Sequence, residues 1–204
     1  MPAPNNARRP WPMKWIVVAI AAVIVPYTFL TLRYRRPERP FEPYADMKNR
    51  ANTLRLLSAG FQRIALTAAV PATAAQPAMN ATIAAAPGGV PEALRASLVM
   101  TPLLPADITG VAAAPFASVG APYAIQFTCE FPDKKQQLAG ADLYVRGEEV
   151  IITPDFEKLA GGLLARSREN TILLTVPAGA LKPGALRVTL VGERSSRTWS
   201  VQVH

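Results

Sequence analysis

The hydrophobic pattern changes character several times along the chain. From Trp15 to Leu32 the sequence WIVVAIAAVIVPYTFLTL holds 18 residues without a charge. Wound as an α-helix at 1.5 Å per residue it is about 27 Å long, close to the hydrocarbon thickness of a bilayer. Met13 can extend it. Trp11 and Trp15 at one end, and Tyr27 and Tyr34 toward the other, put amphipathic rings where the two membrane interfaces would fall. Arg33, Arg35, Arg36 and Arg39 then stop the segment. The pattern predicts a transmembrane helix over residues 15–32, preceded by a basic tail over 1–14. Pro26 should bend the helix or loosen one backbone hydrogen bond, and membrane helices tolerate this. A cleavable signal peptide would have a shorter apolar core followed by a small-residue cleavage site. Thr31-Leu32-Arg33-Tyr34-Arg35-Arg36 is a poor one.

Residues 33–63 read as a basic juxtamembrane segment. Pro37, Pro40 and Pro43 keep its first part extended, because proline disfavours helix in the residue before it. From about Tyr44 the apolar positions Tyr44, Met47, Ala51, Leu54 and Leu57 recur at helical steps, with Lys48, Arg50 and Arg55 interspersed and Gly60 as a stop. A short amphipathic helix is expected. Its apolar stripe is suited to anionic headgroups or to a partner's membrane-proximal surface, with Met47, Leu54 and Leu57 as contact residues. The alternative is a solvated stalk or a helix packed on the domain that follows. Exposure of Leu54 and Leu57 would favour the contact.

Residues 64–97 then lose the helical pattern. Ile64 to Pro91 carries no charged residue, eleven alanines and four prolines. The prolines cut any alanine-driven helix into pieces too short to persist alone, so the stretch reads as a linker with a turn at Gly88-Gly89. Pro91–Arg95 could form one helical turn. From residue 98 to 204 short apolar runs alternate with Pro and Gly. Tyr123, Ile125, Phe127, Cys129 and Phe131 fall on one face at period two, the mark of a half-buried strand. Leu143–Arg146 and Val150–Thr153 flank Gly147-Glu148-Glu149 as a hairpin. Thr171–Val176, Leu186–Leu190 and Trp199–Val203 are further strands, the last two joined by a turn over Gly192–Ser196. Pro154–Arg168 is expected to be irregular, with a helical turn near Phe156–Leu159.

Strands at this spacing, without long helices between them, predict a mainly β domain, a sandwich of about seven strands. Leu181-Lys182-Pro183-Gly184, followed by an alternating strand, a short turn and a final alternating strand, resembles the ending of bacterial immunoglobulin-like modules. The resemblance covers roughly the last 30 residues and implies an immunoglobulin-like fold, and no activity.

Charge sharpens the picture. Of the formal net charge of +8, residues 1–63 supply eleven Lys/Arg against three Asp/Glu, and residues 64–204 hold eleven of each. The positive excess flanks the apolar span and leaves the β region neutral. That is the distribution of a membrane anchor. A nucleic-acid binder would carry it on the folded module, so no nucleic-acid partner is expected. Basic residues counted alone place the C-terminal region inside the cell. The short basic tail before the first apolar segment, together with the fold type, favours export. The expectation is a bacterial inner-membrane, single-pass protein with a periplasmic C-terminal domain.

Candidate chemistry is thin. Cys129 and His204 are the only cysteine and histidine, so a Cys/His zinc site and an intrachain disulfide are excluded. No cofactor or metal site is expected. A nucleophile–base pair would have to use His204, read as a frayed or solvated end. Cys129, on the apolar strand face, is expected to be a buried, inert thiol. Asp133, Lys134 and Lys135, and Asp155, Glu157 and Lys158, read as charged loops, with Asp142, Glu148 and Glu149 near the hairpin. The sequence therefore points to a non-enzymatic interaction protein whose partners are the lipid bilayer and a protein in the membrane: an accessory or assembly subunit of a membrane complex. The alternative is a freestanding envelope protein that binds a ligand or polymer through its β domain.

Overall fold

The computed structural model describes residues 12–34, 45–70, 79–131, 134–159, 161, 163–165 and 167–204. The chain divides into two compact units, Met1–Ala45 and Asp46–His204. In the first, α1 (Met13–Tyr34) is one helix through Pro26, and its apolar stretch Met13–Thr31 is long enough to cross a bilayer. None of that stretch is buried against protein, and Trp15 and Tyr27 are exposed. Such a helix is compatible with a single-pass anchor or with a signal sequence. Trp11, Arg35 and Arg36 lie outside the described residues, and so do the side chains of Arg33 and Tyr34.

The second unit is mainly β. It opens with α2 (Ala45–Ser58), ended by Gly60 at φ +79°, a conformation glycine adopts without penalty. The strands are β1 (Gln62–Ala69), β2 (Ala84–Pro87), β3 (Asp107–Ala113), β4 (Phe116–Ala117), β5 (Tyr123–Glu130), β6 (Gln136–Arg146), β7 (Glu149–Lys158), β8 (Glu169–Val176), β9 (Gly184–Leu190) and β10 (Ser195–Val203), with a single-turn helix α3 (Glu92–Arg95) after β2. They form one curled sheet in the order β2-β10-β9-β7-β6-β1-β8-β5-β3, with β4 added in parallel to β10. Most pairs are antiparallel, but β7 and β9 run parallel. The curl pivots on β1. Its residues Gln62–Leu66 pair with β6, and Thr67–Ala69 pair with β8.

Two readings of the sequence are corrected here. The stretch taken for a linker contributes β1 and β2 to the sheet. Alanine and proline hid them, since small side chains lack the β-branched signature, while Pro87 sits at the end of β2, where a missing N–H costs little. Of the stretch expected to be irregular, Pro154–Arg168, the first five residues are instead the end of β7, which pairs with β6 as far as Lys158↔Gln136, while the described residues after Lys158 carry no helix or strand before β8. There is no helical turn at Phe156–Leu159: Phe156 is buried in the core. The hairpin, the strand from Tyr123 and the last strands stand where the alternation places them.

The main core lies inside the curl. The inward residues of β5 (Tyr123, Ile125, Phe127, Cys129), β8 (Ile172, Leu174, Val176), β9 (Leu186, Val188, Leu190) and β10 (Trp199, Val201, Val203) are all buried. The polar groups of its two largest aromatic side chains are joined. Tyr123 donates to the Ala114 carbonyl at 2.7 Å and accepts from Trp199 Nε1 at 3.2 Å. A second, smaller cluster sits on the outer face of β6 and β7, where Tyr144, Ile151 and Val191 are covered by Leu56 of α2, Phe61 and Leu94 of α3. In this region both faces of the hairpin are buried, which accounts for the unbroken apolar runs Leu143–Val145 and Val150–Ile152.

Candidate interaction surface

The second cluster fixes α2 to the domain. Leu56 is 1% exposed. One turn earlier, Asn52 Oδ1 accepts a hydrogen bond from the Val99 backbone N–H at 3.1 Å. These two residues define the face of the helix that meets the sheet and the loop over 98–102. Residues seven apart on a helix are separated by about 20° around its axis, and residues nine apart by about 180°. Leu54 therefore stacks beside Met47, and Leu56 lies opposite both. The structure agrees, with Met47, Leu54 and Leu57 exposed by 66%, 68% and 61%. In the sequence, Tyr44, Met47, Ala51, Leu54 and Leu57 form the helix's apolar face, with partner contact and packing on the domain as the two alternatives; Tyr44 lies outside the described residues. The helix does pack on the domain, but through Leu56 and Asn52, and the stripe points outward. Leu56 was missed because a single apolar residue gives no periodic signal. Two exposed bases accompany the stripe, Arg50 between Leu54 and Leu57 around the helix axis and Arg55 on the opposite edge.

Beneath the N-terminal half of α2 is a polar cleft of about 230 Å³, lined by Asn49, Asn52, Arg63, Asp142, Tyr144 and Asp155, with Lys48 and the loop from Leu98 to Pro102 at its rim. Arg63 donates to Asp142 at 2.8 Å, and this bond raises the guanidinium pKa further. Asp155 is half-buried, and burial raises its pKa above the ordinary carboxylate value, with the Asp142 charge adding to the effect. Hydrogen bonds from the backbone of Leu103 and Phe156 oppose the shift. Burial also pushes Tyr144 up to about 12. Read from sequence as loop charge, Asp155 in fact belongs to β7, and its carboxylate is taken out of bulk water.

The remaining candidates are placed as follows. Cys129 is fully buried, and burial pushes its thiol up to about 12. His204 is exposed, but its backbone is tied at both groups: its N–H to Ala117 and its carbonyl to Val119, while its ring stacks on Phe116. The expected fraying is thus absent. Glu149 pairs with Arg146, whose guanidinium also lies 4.5 Å above the Phe61 ring. Among the described residues, no group of three or more His, Cys, Asp or Glu side chains could hold a metal ion. Comparison with protein-family models, with curated proteins and with solved structures gives no match.

Proposed function

We propose that this chain is a non-enzymatic, single-pass membrane protein that serves as an accessory or assembly subunit of a bacterial membrane complex. In this reading α1 remains as an uncleaved anchor, and the β domain is an immunoglobulin-like sandwich displayed in the periplasm. The observation that carries it is the outward stripe Met47, Leu54 and Leu57 on a helix clamped from behind. A contiguous apolar face held rigidly open marks a contact surface. The poor cleavage site after α1 supports retention of the anchor. The sandwich reading rests on β1, whose two halves join β6-β7-β9-β10-β2 to β8-β5-β3 around a shared core.

The test is a native gel of the tagged, full-length protein from mildly solubilised membranes, with mass spectrometry of what travels with it. Stoichiometric co-migration with one complex supports the subunit and names its pathway. Migration alone removes that support and favours the second reading, a freestanding binding protein, for which the polar cleft beside Asp142 and Asp155 is the place to seek a ligand.

A further inference from the structure

We propose that the outward face of α2 lies on an anionic lipid surface, with Met47, Leu54 and Leu57 entering the headgroup–acyl boundary and Arg50 and Arg55 paired with lipid phosphates. This names what the contact face meets, and it rests on the reading that α1 stays in the bilayer.

Three observations favour lipid over another protein. The first is the arrangement of charge on the face. At about 100° per residue, Leu54, Arg50 and Leu57 fall roughly 20°, 60° and 80° to one side of Met47 and Arg55 about 80° to the other, so one base sits within the apolar stripe and a second borders its far edge. Both arginines are exposed, and long basic stems can lie along apolar surface while their heads stay at the level of the phosphates. No acidic residue lies within α2 after Asp46, near its start. An apolar stripe accompanied by exposed bases suits a helix that lies at an anionic membrane interface.

The second is reach. Ten residues, Arg35–Tyr44, join α1 to α2. An extended chain spans at most about 3.6 Å per residue, so the sequence tethers α2 within about 40 Å of the point where α1 leaves the bilayer. A tethered surface acts at a high effective concentration, so a face too weak to bind free in solution is occupied when linked. The third is the rigidity of the mount. Leu56 and Asn52 hold α2 in place, so its outward face can seat on a membrane without being ordered first, and that lowers the cost of binding.

The test uses the full chain in lipid nanodiscs, neutral or with anionic phosphatidylglycerol. Single cysteines replace Met47, Leu54, Leu57 and, as a control, Asn49, and carry spin labels; native Cys129 is buried. Collisions with oxygen, which partitions into lipid, are compared with collisions with a water-soluble nickel chelate. In anionic discs the labels at 47, 54 and 57 should favour oxygen while the label at 49 favours nickel. Arg50→Gln and Arg55→Gln should each weaken the lipid-bound population about fivefold, the worth of one basic residue at an anionic surface. The proposal is overturned if the three labels are as open to nickel as the control, or if they are shielded from both reagents in neutral and anionic discs alike, which would put a second copy on the face. Intact mass of the protein from native membranes separates this from failure of the anchor: loss of the N-terminal segment removes the anchor reading whatever the labels report.

Discussion

Single residues show how the β domain handles its polar groups. Tyr123 bridges the Ala114 carbonyl and the Trp199 indole inside the core. Tyr123→Phe leaves the Trp199 indole N–H buried and unpaired and the half-buried Ala114 carbonyl without this donor, and should cost about 1–3 kcal/mol in urea unfolding. Asp107 accepts hydrogen bonds from the Ser195 hydroxyl and from its neighbour's backbone at Ile108, and the first of these does most to lower its pKa. A carboxylate held below its unfolded value stabilises the fold fully above the ordinary carboxylate range, and the effect is lost as pH falls through the folded value. Asp107→Asn should therefore be less stable than the parent at pH 7, with the gap closing as pH falls below the ordinary carboxylate range; a gap constant through that fall would show that the carboxylate charge is not the cause. Cys129 should resist a charged maleimide in the native protein and react only on unfolding, because the thiolate that attacks is suppressed by burial. That thiol was legible in the sequence from alternation alone. Asp155 was not, since nothing local distinguishes a carboxylate in a loop from one drawn into a cleft by the strand that carries it.

Among the elements, α2 is the one whose meaning depends on tertiary structure. Its two apolar faces have different fates, and substitutions should separate them. Leu56→Ala removes a fully buried side chain between α2 and the hairpin and should cost about 2–5 kcal/mol. Leu54→Ala removes an exposed one and should leave unfolding within about 0.5 kcal/mol of the parent. Equal costs would mean that both faces are packed. The turn before α3 offers a second comparison. A Cβ on Gly88 would come within 2.3 Å of the Arg194 backbone, whereas one on Gly110 meets nothing. Gly88→Ala should then lower the melting temperature clearly and Gly110→Ala should not. Strands with alternating large side chains, such as β5, β9 and β10, announce themselves. The alanine-rich β1 and β2 do not, because their place in the sheet is set by partners far away in sequence.

For the whole molecule, the sequence conveys a division of labour: one apolar helix bracketed by bases, then a neutral, mainly β domain. It does not convey the curl of the sheet. Leu66 and Thr67 are adjacent, yet they pair with β6 and β8 respectively, and no local pattern specifies such a change of neighbour. The proposed periplasmic orientation is tested by fusions. Alkaline phosphatase joined after His204 should be active and a fluorescent protein there should be dark. The reverse result places the domain in the cytoplasm.

The double pairing of β1 also bears on the order in which the chain can fold as it is made. β1 is finished at residue 69, but its second partner is complete only at Val176. At ribosomal speeds of about 5–20 residues per second, β1 waits roughly 5–20 seconds for that edge. β2 waits longer still, for Ser195–Thr198. The small side chains of β2 and of the end of β1 that joins β8, Thr67–Ala69, suit strand segments that must stay unpaired for so long.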